Sequence, residues 1–142
     1  MANKIDTAMD AMETALNLLV AAGTLKAVRR AILVAQNVPS CPVVCFLPMN
    51  VDRLGGSGAA SERAVTVDVR IITRSKDSLA DQTVSELIAA VETGLNTLAD
   101  SSGGPLIEMP RWDFWYGFGA GGLVLQGAIC RMRVGLSGPL AS

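Results

Sequence analysis

The sequence predicts an α+β fold: two layers, with two helices packed on a mostly antiparallel sheet of four to five strands. Three observations lead there. Two stretches repeat apolar residues at three- and four-residue steps, the period of a helix with one buried face. Others alternate apolar and polar residues, the period of a strand. The order along the chain is helix, two or three strands, helix, two strands, which suits helices gathered on a sheet of hairpin-connected strands.

The first helix is carried by Ile5, Met9, Met12, Leu16 and Leu19, with Asp6, Asp10, Glu13 and Asn17 on its other faces. Gly23 is placed to end it, and Met9 and Met12 read as core packing. Residues 24–38 are ambiguous: "TLKAVRRAILV" suits either a strand or a second helical stretch, with the strand favoured. "PVVCFLP", residues 42–48, is a short β-rich run fenced by Pro42 and Pro48, as an edge strand or a strand end would be. The segment 50–63, "NVDRLGGSGAASER", has few groups to anchor it and is expected to be a long mobile loop. "RAVTVDVRIITRS", residues 63–75, is the firmest strand. Val65, Val67, Val69 and Ile71 seek a core, while Thr66, Asp68, Arg70 and Ile72 make a second, largely polar face.

Ser78 and Asp81 then form an S-x-x-D capping arrangement for a second helix. Its apolar face is Val84, Leu87, Ile88, Val91, Leu95 and Leu98, and it ends near Asp100, before "SSGGP". The last third returns to strands, "RWDFWYGF" and "LVLQGAICRMRVGL". In the second, Val124, Ala128, Cys130, Met132 and Val134 alternate with Leu125, Gly127, Ile129, Arg131 and Arg133.

A chain of 142 residues has the length of one domain, expected to cover 1–142. Such a domain buries roughly 70% of its unfolded surface, so neither a metal nor a disulfide is needed to hold it. Half of the residues are apolar and only 18% are charged, so a partner is expected to cover part of the surface. The net charge of -1 gives no overall field for nucleic acid, and sequence-specific binding to it is not expected. Histidine is absent, which removes the commonest general base, proton shuttle and zinc ligand.

The three cysteines, Cys41, Cys45 and Cys130, are an odd number and point to reduced thiols. If their segment is extended, Cys41 and Cys45 lie about 13 Å apart, too far for a disulfide. Asp6, Asp10 and Glu13 interrupt any secretory signal, and Gly23, Lys26, Arg29 and Arg30 break the apolar run between Leu18 and Val38. The expectation is a soluble protein made in the cytoplasm that does not enter a membrane, needs no cofactor or metal, and is not an enzyme.

"GFGAGG" sets Gly117, Gly119 and Gly122 in a literal G-x-G-x-x-G. That spacing binds a dinucleotide when the glycines join a strand to a helix whose amides face the phosphates. Here the following residues alternate with period two, and no Asp or Glu follows Asp113 to hold a ribose. A hairpin turn is the better reading, with glycine supplying positive φ. No serine or cysteine has a histidine to activate it, and the cysteines lie in apolar runs that raise a thiol pKa.

The polar strand residues Asp68, Arg70, Arg131 and Arg133 admit two readings: a charge ladder within the sheet, or a contact with a neighbouring subunit. Trp112, Phe114, Trp115 and Tyr116 cannot all face a core if they alternate, so the outward ones are contact anchors. The candidate subunit contacts are thus Asp68, Arg70, Trp112, Trp115, Arg131 and Arg133, with Arg53, Leu54 and Arg63 from the 50–63 segment.

The opening helix "IDTAMDAMETALNLL", the strand "AVTVDVRIITRS" leading into "SLADQTVSELIAAVETGLNTL", and the closing hairpin ending in "GAICRMRV" together resemble the tail terminator (tail completion) proteins of long-tailed bacteriophages. The resemblance is one of pattern over nearly the whole chain, with no signature motif. It implies a virion protein of the tail or neck, forming a hexameric ring that caps the tail tube and joins it to the head connector. Its partners would be the tail tube protein and the connector protein, with DNA able to pass through the ring. A long loop between strands commonly reaches a neighbour in that family, and residues 50–63 match it by position. Another neck or head completion protein, or a small ligand-binding domain or enzyme, are the alternatives.

Overall fold

The computed structural model describes residues 3–31, 42–56, 62–75, 80–101, 104–118, 124–138 and 140. Helix α1 spans Lys4–Ala21. The Asn3 side chain caps it by accepting the Asp6 amide at 2.9 Å. Gly23 closes it, as its position suggests. At φ +84° its amide donates to the Val20 carbonyl and the Thr24 amide to the Leu19 carbonyl, the paired closure a left-handed residue permits.

Strand β1 is Ala27–Arg29, β2 Val43–Gly55 and β3 Glu62–Ser75; helix α2 is Ala80–Ala99; β4 is Leu106–Glu108, β5 Trp112–Phe118 and β6 Val124–Ser137. The strands form one sheet in the order β1-β2-β3-β6, with β4 and β5 both on the far side of β6. Among the described residues only β1 and β2 run parallel. The fold is therefore α+β with helices packed on a mostly antiparallel sheet. The six strands among the described residues exceed the four to five expected because β4, "LIE", is too short to leave a period in the sequence.

The two central strands, β3 and β6, pair without a break from Glu62 opposite Ser137 to Ser75 opposite Val124. This fixes which side chains face the helices. Val65, Val67, Val69 and Ile71 of β3 meet Cys130, Met132 and Val134 of β6 and Val44 and Phe46 of β2. Ala8, Met9, Met12 and Leu16 of α1, with Leu87, Val91 and Leu95 of α2, close the other side of that core. The two methionines are fully buried, so they pack the core as their spacing predicts.

Several expectations need correction. The strand expected to stop at Pro48 continues to Gly55, with register irregularities after Pro48 and after Arg53. A bulge of this kind is where a strand admits proline. Consequently the mobile loop expected over 50–63 is mostly paired strand: β2 ends at Gly55 and β3 begins at Glu62, and 57–61 lie outside the described residues. Within 24–38 the strand is only Ala27–Arg29, and 32–38 lie outside the described residues, as do Cys41 and the capping Ser78.

The second face of the sheet is not simply polar either. Ile72 packs there with Ala27, Val43 and Cys45, and Trp115 leans on that cluster. The hairpin read into "GFGAGG" is present, β5 pairing antiparallel with β6 from Trp112 opposite Cys130 to Phe118 opposite Val124. Gly117, however, sits in β5 opposite Leu125 and is not at positive φ, while Gly119 and Gly122 lie outside the described residues. A strand, not a helix, follows the glycines.

Candidate interaction surfaces

Both edges of the sheet are open among the described residues. β1 covers β2 only along Val43–Cys45, so the outer edge of β2 from Phe46 onward has no strand beside it. The outer edges of β4 and β5 are likewise unpaired at the opposite side. Unpaired edges carry rows of backbone donors and acceptors ready for another strand.

Every residue of β2 from Pro48 to Gly55 is exposed, an outer arm of the sheet, although its β3 partners Val67, Val65 and Ala64 are buried. Met49, Val51 and Leu54 stand out there as exposed large apolar side chains, beside the exposed Asp52 and Arg53. The opposite edge has its own apolar pair, Phe114 and Tyr116, which point to the helix side of β5 beyond the cover of α2. Contiguous exposed apolar patches are the kind of surface that partners cover.

The face of the sheet away from the helices is charged and mixed. Asp68, 2% exposed, is held by its own-strand neighbour Arg70 through two hydrogen bonds, Nε to Oδ1 at 2.8 Å and Nη2 to Oδ2 at 3.3 Å. The fork raises the Arg70 pKa above its ordinary value, the hydrogen bond to Asp68 being the main cause. Arg131 is directly opposite Asp68 in register but is exposed, as is Arg133. Glu108 stands opposite Arg133 across the β4–β6 pair, so cations and anions alternate over this face. A depression of about 810 Å³ opens on it, lined by Pro110, Arg111, Asp113, Ile129 and Arg131. Arg111 and Asp113 pair across its rim at 3.2 Å.

The proposed contact residues therefore do not form one patch. Arg53 and Leu54 lie on the exposed outer arm of β2; Arg53 donates to the Gly56 carbonyl. Arg63 is half-buried and donates to the Gly138 carbonyl, tying the base of the arm to the end of β6. Trp112 and Trp115 sit on opposite faces of β5. Trp112 points to the helices and donates from its indole to Glu92 of α2 at 2.8 Å, while Trp115 packs on the second face over Gly127. The exposed aromatics of the strand are the other two, Phe114 and Tyr116. Alternation along β5 sets Trp115 apart from the other three, and Trp112 differs from Phe114 and Tyr116 on the shared face because α2 reaches it through Glu92, which the sequence does not show.

Cys45 and Cys130 are both fully buried. Burial pushes the Cys130 thiol up to about 11. Among the described residues no three of the carboxylate and thiol side chains converge as metal ligands would, and no helix is long and apolar enough to cross a membrane. No protein-family model matches this chain, and no curated protein matches it.

Proposed function

We propose that this chain is a ring-forming structural subunit of a virion, the tail terminator that caps the tail tube of a long-tailed phage and joins it to the head connector. The observation that carries the reading is the pair of open sheet edges, each with exposed apolar side chains, on opposite sides of one chain. Two different patches that complement one another make a head-to-tail contact, and a head-to-tail contact closes into a ring when its rotation divides the circle. The resemblance in element order to tail terminators supplies the expected count of six and the place in the particle. Assembly, rather than catalysis, is the activity proposed.

Electron microscopy of the purified chain is expected to give six-fold rings, and particles made without it are expected to leave full-length tails unjoined to heads. A chain that stays monomeric at high concentration and never joins tails overturns the reading. Leaking heads instead of unjoined tails would assign it to head completion.

A further inference from the structure

Each copy of the chain carries one edge that could receive another strand and one that could supply it. Within a copy, β2 is antiparallel to β3, β3 to β6, and β6 to β5. Three reversals leave β2 and β5 running in opposite directions. Copies related by rotation about an axis close to the strand direction would therefore meet β2 to β5 in antiparallel fashion, extending the sheet in its own pattern.

We propose that the free stretch of β2 pairs in this way with β5 of a second copy of the chain, Asp52 of one facing Arg111 of the next. The inference rests on the ring-forming reading above and names the contact that closes the ring. In this register Val51 lies opposite Trp112, both on the helix side, and Asn50 lies opposite Asp113, both on the other side. Met49 comes to Phe114, covering two exposed apolar groups at once. The charges match: Asp52 gains a cation, and Asp113, already held by Arg111, gains an amide donor from Asn50. Pro48 and Pro110, neither of which has an amide hydrogen to give, bound the ladder, and it ends before β1 begins beside Cys45.

The geometry also fits a closed sheet. Val51 is level, through Val65, with Val134 of β6, whereas Trp112 is level with Cys130. Joining them staggers successive copies by four residues, about 13 Å along the strands. Each copy contributes four strands at the joint, about 19 Å across at the usual strand spacing. The resulting tilt is about 35°, at the lower end of the range closed barrels adopt. A stagger of one residue per strand is also that of the eight-stranded parallel barrel.

The test uses Asp52→Cys with Arg111→Cys in the full chain, oxidised at the concentration where it associates. Both side chains are exposed, and directly opposed residues in an antiparallel pair come within disulfide reach. A ladder of covalent oligomers is expected for the double variant and not for either single variant. Reversal by Asp52→Arg should abolish association, and adding Arg111→Asp should restore it. Rings without the ladder would overturn this contact while leaving the ring reading intact. A covalent dimer from Asp52→Cys alone would overturn it in favour of two β2 edges meeting about a two-fold axis. A monomer under all conditions would remove both readings.

Discussion

Cys130 is fully buried between β3 and the helices, opposite Val69, and its thiol is held near 11 by desolvation against an ordinary value of 9.0. The folded chain therefore keeps a proton that the unfolded chain gives up near pH 9. Its contribution to stability is complete below pH 9 and is lost as the pH rises towards 11. Thermal melts across pH 8 to 11 should show a steeper fall in Tm for the wild type than for Cys130→Ala, whatever the absolute cost of the cavity. Equal slopes would mean the thiol ionises as freely in the folded chain as in the unfolded one. Asp68 shows the opposite strategy: it is buried as an acceptor beside a cation, and the Arg70 fork satisfies both carboxylate oxygens. Gln126 is buried, and among the described residues its amide nitrogen and oxygen have no hydrogen-bond partner.

Among the elements, the β5–β6 hairpin depends on one small residue. A methyl group at Gly127 would stand 1.9 Å from the Ile71 carbonyl oxygen and 2.7 Å from the Trp115 ring. One of these neighbours is backbone of the central strand, so it cannot yield without parting β3 from β6. Gly127→Ala is expected to destabilise by about 3 kcal/mol or more, read by denaturant unfolding. A loss under about 1 kcal/mol would mean the hairpin shifts freely. This contact is invisible in the sequence, where Gly127 is one more glycine in an alternating run, because it depends on a strand more than fifty residues away. β3 and the second half of β6 are legible because one face of each is buried against helices, which forces Val65, Val67, Val69, Cys130, Met132 and Val134 into step. The outer part of β2 is not legible, since neither of its faces is buried and nothing imposes alternation on Pro48 to Gly55. Its composition then reads as loop. The same reasoning applies to the contact residues: Asp68 and Arg70 are recognisable as same-side neighbours two residues apart, whereas the pairing of Trp112 with Glu92 needs the packing of α2 to be known.

For the whole molecule, the proposed ring contact and the folded core draw on separate parts of the chain. The helices and the inner sheet face hold the core, while Met49 and Leu54 stand on the arm outside it. Met49→Ser combined with Leu54→Ser should therefore move the unfolding midpoint little, within about 0.5 kcal/mol for each surface change, and weaken association markedly by sedimentation. A large loss of stability would place the arm inside the folding unit instead. The unbroken β3–β6 pair has a further mechanical consequence. Fourteen residues of each strand lie side by side, a beam roughly 43 Å long, with the arm at one end and the entrance to α2 at the other. A hydrogen-bonded beam of that length bends far less readily than it tilts. Objects fastened at its two ends would be kept at a set spacing, as a strut keeps two decks apart.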